Sequence, residues 1–157
     1  MDQTHRYALR LDWTGARQGP TLKYESYSRE YRVEIEGKPA LTGSADASFR
    51  GDPALINPED MLLAALSSCH MLSYLALCAR ARIVVNAYTD EASGTMSEKA
   101  LHRMGFTEVI LHPRVTVAAD TDLAKANALH EKAHEICFIA NSVNFPVRHE
   151  AEIVVAS

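Results

Sequence analysis

Cysteine is scarce in this chain, three residues in 157, and an odd number of thiols gives no basis for a framework of static disulfides. Runs of basic residues are absent and the net charge is −4. That excludes a nucleic-acid binder that works by neutralising phosphates, and leaves small anionic or neutral partners open. There is no Gly-x-Gly-x-x-Gly and no phosphate loop, so no flavin, haem or nucleotide cofactor is expected. The opening Met1-Asp-Gln-Thr-His-Arg-Tyr7 lacks the apolar stretch of a secretory leader, and the expected location is the cytoplasm. No repeat, low-complexity tract or linker divides the sequence. With 47% hydrophobic and 23% charged residues it is expected to form one domain over residues 1–157.

What the sequence does have is one long, almost uncharged run from Met61 to Cys78, with Cys69 in its middle. Its start is explicit. Asn57 can accept from the free N–H groups of the first turn, Pro58 lacks an N–H that is not needed there, and Glu59 and Asp60 oppose the positive helix end. A helix is therefore predicted from Pro58 to about Ala81, roughly 36 Å long. Its apolar residues fall on every side rather than in one stripe, which predicts burial all round. The run is long enough to cross a bilayer, but Ser67, Ser68, His70 and Ser73 interrupt it and the rest of the chain looks like a soluble domain, so no membrane contact is expected.

Strands are predicted at Arg6 to Trp13, Leu22 to Tyr27 and Tyr31 to Glu36, the last two as a hairpin. Residues 14–20 and 37–56 carry the glycines and prolines of loops, and the length of the second marks it as functional. After the helix, Arg82 to Ala92 and Phe106 to Ala119 are two further strands, with a bulge or an edge at Pro113. A second helix starts at Asp120-Thr121-Asp122 and runs to about Cys137; Leu123, Ala126, Leu129 or His130, Ala133, Ile136 and Cys137 share its inner face. Val147 to Val155 is the final strand. The order βββ-α-ββ-α-β segregates strands from helices, which is α+β architecture, a mainly antiparallel sheet packed on a long central buried helix. One sheet cannot cover such a helix on all sides, and a second copy of the chain is the expected cover, giving a homodimer.

Cys69 and Cys78 lie nine residues apart on one helix, about 13.5 Å along its axis and half a turn around it, and cannot bond to each other. Cys69–Cys137 and Cys78–Cys137 both remain open. Cys78 stands among apolar neighbours and reads as structural; Cys69 stands in the polar patch Ser67-Ser68-Cys69-His70 and reads as chemical. Free cysteine is commonly a small buried hydrophobe, and His70 and His134 are each most simply read as surface or core residues. A zinc site from Cys69, His70, His134 and Cys137 is disfavoured, because neighbours on a helix diverge by about 100°.

The stretch Asn57-Pro-Glu-Asp-Met-Leu-Leu-Ala-Ala-Leu-Ser-Ser-Cys69-His resembles the signature of the OsmC/Ohr family, and Ala133-His-Glu-Ile-Cys137-Phe-Ile-Ala-Asn141 resembles that family's second cysteine motif. The resemblance implies an intertwined α+β homodimer that reduces organic hydroperoxides, is regenerated by a thiol or lipoyl-type reductant, and uses no cofactor. It implies that Cys69 attacks the peroxide, that Cys137 closes a disulfide on it, and that an arginine held by Glu59 supports the thiolate. Such support is needed because a helix dipole fades within a turn, while Glu59 lies about 15 Å along the helix from Cys69. Arg50 resembles the arginine of OsmC-type members and is the first choice; Arg17, which resembles that of Ohr-type members, and Arg29 are alternatives. His70 is an auxiliary candidate for proton transfer. The sequence departs from better-known members at Phe138, Ala140 and His70, which bears on substrate and reductant. An apolar lining from Met61, Leu66, Leu72 and Phe138 favours fatty or aromatic hydroperoxides over hydrogen peroxide. The alternatives are a stress protein of the same fold that binds a small apolar ligand without turning it over, and a thiol transferase using the same pair.

Overall fold

The computed structural model describes residues 4–101 and 103–156. The architecture is α+β, in the order βββ-α-ββββ-α-ββ rather than βββ-α-ββ-α-β. The chain divides into two compact units, one ending at Met61 and one beginning at Leu62.

In the first unit β1 (Arg10–Asp12), β2 (Tyr31–Glu34) and β3 (Leu41–Gly43) form an antiparallel sheet in that order. The strand expected at Leu22 to Tyr27 is a series of turns. The Arg29 guanidinium donates to the carbonyls of Tyr24 and Tyr27, so neither carbonyl is left for a ladder. Conversely, β3 lies inside the stretch read as loop. The Tyr31 ring crosses Gly43 so closely that a Cβ there would stand 2.5 Å from it, and glycine inside a strand here marks close approach rather than a break. The unit ends in the first turn of α1 (Pro58–Arg80), capped as the sequence predicts. The Asn57 side chain accepts from Asp60 N at 2.8 Å, and the Asp60 carboxylate accepts from Asn57 N at 3.2 Å.

The second unit holds the rest of α1, two mixed sheets and α2 (Leu123–Ile136). One sheet orders β4 (Val85–Asp90), β7 (Pro113–Val117) and β9 (Glu152–Val155); the other orders β5 (Ser93–Ala100), β6 (Arg103–Leu111) and β8 (Val147–His149). The β6–β8 and β7–β9 pairings are parallel and the four others antiparallel, so the sheet is mainly antiparallel, as expected, with two parallel pairings that the sequence did not signal. Pro113 is the first residue of β7, where the chain leaves one sheet for the other and a missing N–H does least harm. Strand β5 was hidden in the sequence because Ser93-Gly94 reads as a break and the strand is mostly exposed.

Helix α1 departs from its forecast in burial. Only Leu66, His70, Tyr74 and Cys78 are buried, a single stripe at four-residue spacing; Ala64, Ser68, Leu72, Ala76 and Arg80 form an exposed stripe. One chain supplies partners for one side of the helix. Leu66 packs with Val109, Leu111 and Val147, while Tyr74 and Cys78 pack with Val115, Val117 and the Ala126, Leu129 and Ala133 face of α2. The helix ends without glycine: Arg82 takes φ 61°, Arg82 N donates to Ala79 O and Ile83 N to Cys78 O, the hydrogen bonds of a Schellman cap. Ser67 Oγ donates to Asp90 Oδ2 at 2.5 Å, and the other oxygen of Asp90 accepts from His112 N.

Candidate active site

Cys69 is partly exposed on α1, in a groove of about 600 Å³. Ala65, Leu72 and Ala76 line its α1 side, and Ile136, Phe138 and Ile139 its other side, so the lining is mainly apolar. Of the four lining residues expected from sequence, Leu72 and Phe138 are in the groove. Leu66 is in the core instead, and Met61 does not line the groove.

Cys137 is the C-cap of α2, just past the last helical residue and buried. The Asp122 carboxylate caps the other end of that helix by accepting from Lys125 N at 3.0 Å. Cys69 is close enough to the Cys137 thiol to perturb it. Burial first, and the Cys69 contact next, push it up to about 11, so at neutral pH it stays protonated and can donate to the Cys69 sulfur. The pairing that the residues alone left open is thereby narrowed. Cys78 packs beside Tyr74 in the core, and burial raises its pKa. It is structural by position.

His70, one residue from Cys69, turns away from the groove into the core. Its Nε2 lies 3.0 Å from Nδ1 of His130, which stacks on Tyr74 with ring centroids 3.8 Å apart. His149 packs against both imidazoles at 5.4 and 5.7 Å and meets Glu131 at 3.3 Å, while His134 lies 6.2 Å from His149. Desolvation first, and neighbouring imidazoles next, lower His70 to about 4 and His130 to about 3. Both are neutral near pH 7, and His130 Nε2 is buried without a hydrogen-bond partner among the described residues. A proton-transfer role for His70 at Cys69 therefore lacks both access to the groove and a suitable pKa. Among the described residues, no group of three or more His, Cys, Asp or Glu is placed to hold a metal ion. The sequence reading passed over His149 entirely; no local pattern signals that a residue on β8 meets two helices.

The predicted arginines occupy different surroundings. In the first unit a cavity of about 450 Å³ is lined by Trp13, Tyr27, Arg29, Tyr31 and Glu59 among others. Arg29 lies over the Tyr27 ring at 3.8 Å. Burial, and then the Glu59 and Asp60 carboxylates, raise the Tyr31 phenol, whose buried oxygen has no partner. Arg50 is exposed at φ 65°, capping a short 3-10 turn at Ala47–Phe49, and does not line this cavity. Arg17 is exposed in the 3-10 turn Thr14–Gln18. Of the three arginines, Arg29 is the one brought to a common cavity with Glu59, although no ion pair joins them among the described residues.

None of the curated proteins matches this chain. Among solved structures, it is 32% identical to an OsmC-like protein of unknown function from Vibrio cholerae, with a TM-score of 0.86 over 95% of this chain and 100% of that one. An organic hydroperoxide resistance protein from Elizabethkingia anophelis shares the fold at 19% identity and a TM-score of 0.71, covering 99% of this chain and 100% of its own. One from Legionella pneumophila does so at 17% identity and a TM-score of 0.67, over 96% and 99%. The family model described as OsmC-like protein matches residues 51–152, a span that holds α1, α2, Cys69 and Cys137, and the chain belongs to that family.

Proposed function

We propose that the chain is a thiol peroxidase that reduces organic hydroperoxides to alcohols. The closeness of Cys137 to Cys69, whose side chain lines an open apolar groove, carries this reading. The Cys69 thiolate attacks one oxygen of the O–O bond; the bond breaks, and the other oxygen leaves as the alcohol after taking a proton. Cys69 becomes a sulfenic acid, and Cys137 sulfur attacks it, releasing water and forming a Cys69–Cys137 disulfide. An external dithiol, of simple thiol or lipoyl type, then reduces the disulfide and is itself oxidised. The apolar groove suits an alkyl or aryl peroxide better than hydrogen peroxide. Arg29, which shares a cavity with Glu59, is the arginine proposed as the partner of Glu59 in preference to Arg50.

The test is to treat the reduced protein with one equivalent of cumene hydroperoxide and count free thiols. Loss of two thiols is the expected result. No loss would overturn the reading and favour a groove that only binds apolar ligands.

A homodimer belongs to the same proposal. The exposed α1 stripe includes Leu72, 62% exposed, and Phe138 across the groove is 79% exposed. A second copy laid on this side would shelter both and roof the groove. Sedimentation at micromolar concentration is expected to give the mass of two chains; a mass of one chain would remove the dimer.

A further inference from the structure

We infer that Arg80 is a specificity residue that anchors the carboxylate of a long-chain acid whose hydroperoxide sits at Cys69. The inference rests on the peroxidase reading of the groove and names the substrate that the groove is shaped to hold. Cys69 and Arg80 are eleven residues apart on α1, which at about 100° per residue is three turns and only some 20° of rotation. Both line the same groove, with Leu72, Ser73 and Ala76 between them. One end of an apolar trough therefore carries a thiol, and the other a guanidinium.

Among the described residues, Arg80 has no side-chain hydrogen bond or ion pair. By contrast, Arg10, Arg32, Arg114 and Arg148 each meet a carboxylate. An uncommitted cation beside an apolar floor is complementary to an amphiphile with an apolar tail and an anionic head. The length of that amphiphile follows from the helix. The rise from Cys69 to Arg80 is about 16 Å, and the arginine side chain leans toward the helix N-terminus, back over Ala76. On the order of 10 Å remains between sulfur and guanidinium, which an extended chain spans in about nine bonds, at roughly 3.4 Å for every three. A fatty acid oxidised near mid-chain presents its peroxide and its carboxylate at this separation. A methyl ester of the same acid has the same shape and no charge.

The test compares linoleic acid carrying a hydroperoxide at carbon nine with its methyl ester, in wild type, Arg80→Gln and Arg80→Lys. Wild type is expected to favour the acid by about tenfold in kcat/KM, mostly through KM, as a charge-assisted pair in a partly sheltered groove would. Arg80→Gln is expected to bring the ratio to about one, and Arg80→Lys to keep part of it. A wild-type ratio near one, or a ratio that survives in Arg80→Gln, overturns the anchor. Calorimetry with the unreactive hydroxy acid and its methyl ester provides a second readout. If no hydroperoxide is turned over at all, the peroxidase reading fails by itself, and binding still decides the anchor: acid preference lost in Arg80→Gln upholds it, and equal binding of acid and ester overturns it.

Discussion

Replacing Cys69 by serine is expected to end hydroperoxide turnover, a fall on the order of 10³ or more, because a serine hydroxyl in the middle of a helix is a far poorer nucleophile than a thiolate. The two other cysteines sort the mechanism. Cys137→Ser leaves the attacking thiol in place but removes the group that captures its sulfenic acid. One equivalent of peroxide is then expected to consume one thiol rather than two, and the product to react with dimedone. Cys78→Ser is expected to retain the two-thiol loss, because Cys78 lies in the core beside Tyr74 and away from the groove. Free-thiol titration after one equivalent of cumene hydroperoxide reads all three variants. Full turnover by the Cys69→Ser protein would exclude this cysteine as the nucleophile, and two-thiol loss in the Cys137→Ser protein would exclude Cys137 as its partner.

Acid is expected to unfold the domain earlier than its carboxylates alone would require. His70 and His130 are held well below the ordinary histidine range by burial between α1 and α2, with His149, His134 and the Tyr74 ring around them and Glu131 beyond His149. In the unfolded chain both titrate near 6.5. Above that pH neither state holds the extra proton, and stability is unaffected. As the pH falls from about 6.5 toward 4, the unfolded chain binds protons that the folded chain refuses, so folding stability falls with it. For His70 alone the loss over that window is about 3 kcal/mol. His130 adds less than its own shift suggests, since repulsion between the two rings is one interaction and counts once. The urea midpoint is expected to drop steeply between pH 7 and 4.5, and the slope to flatten in His130→Leu, whatever that change does to stability at pH 7. A wild-type midpoint that is level across this range, or a His130→Leu slope equal to wild type, would remove the imidazole pair as the cause.

How much of this was legible in the sequence depends on the range over which each signal acts. The start of α1 was written in four adjacent residues, and the capping hydrogen bonds between Asn57 and Asp60 match that reading. The 3–4 spacing of α2 gave the middle of its buried face, Ala126, Leu129, His130 and Ala133, while Leu123 and Ile136 at its ends are exposed. For the cysteines, the geometry of one helix excluded only Cys69–Cys78, and the choice of Cys137 as partner of Cys69 came from the family resemblance. Failures came where long-range packing overrode local pattern. Gly43 and Gly94 lie in strands because an aromatic ring crosses each of them. The turns at residues 22–27 are held by a side chain, Arg29, that no propensity includes. All-round burial of α1 was inferred from composition, which does not say that one chain supplies partners for one side only. The imidazole cluster needed the placement of β8, a strand of three residues, and no periodicity reports that.

Ser67 and Asp90 act as an angular key for α1. The helix is buried along a stripe of residues four apart, where His70 meets His130 and Tyr74 donates to Ala126 O, and a slip of one residue would turn every side chain by about 100°. The Ser67 hydroxyl, held at 2.5 Å by a carboxylate that is itself fixed by the His112 amide, allows one angular setting. In that setting His70 enters the core and Cys69 looks into the groove; one notch away, Cys69 would stand where His70 does and the thiol would be interred.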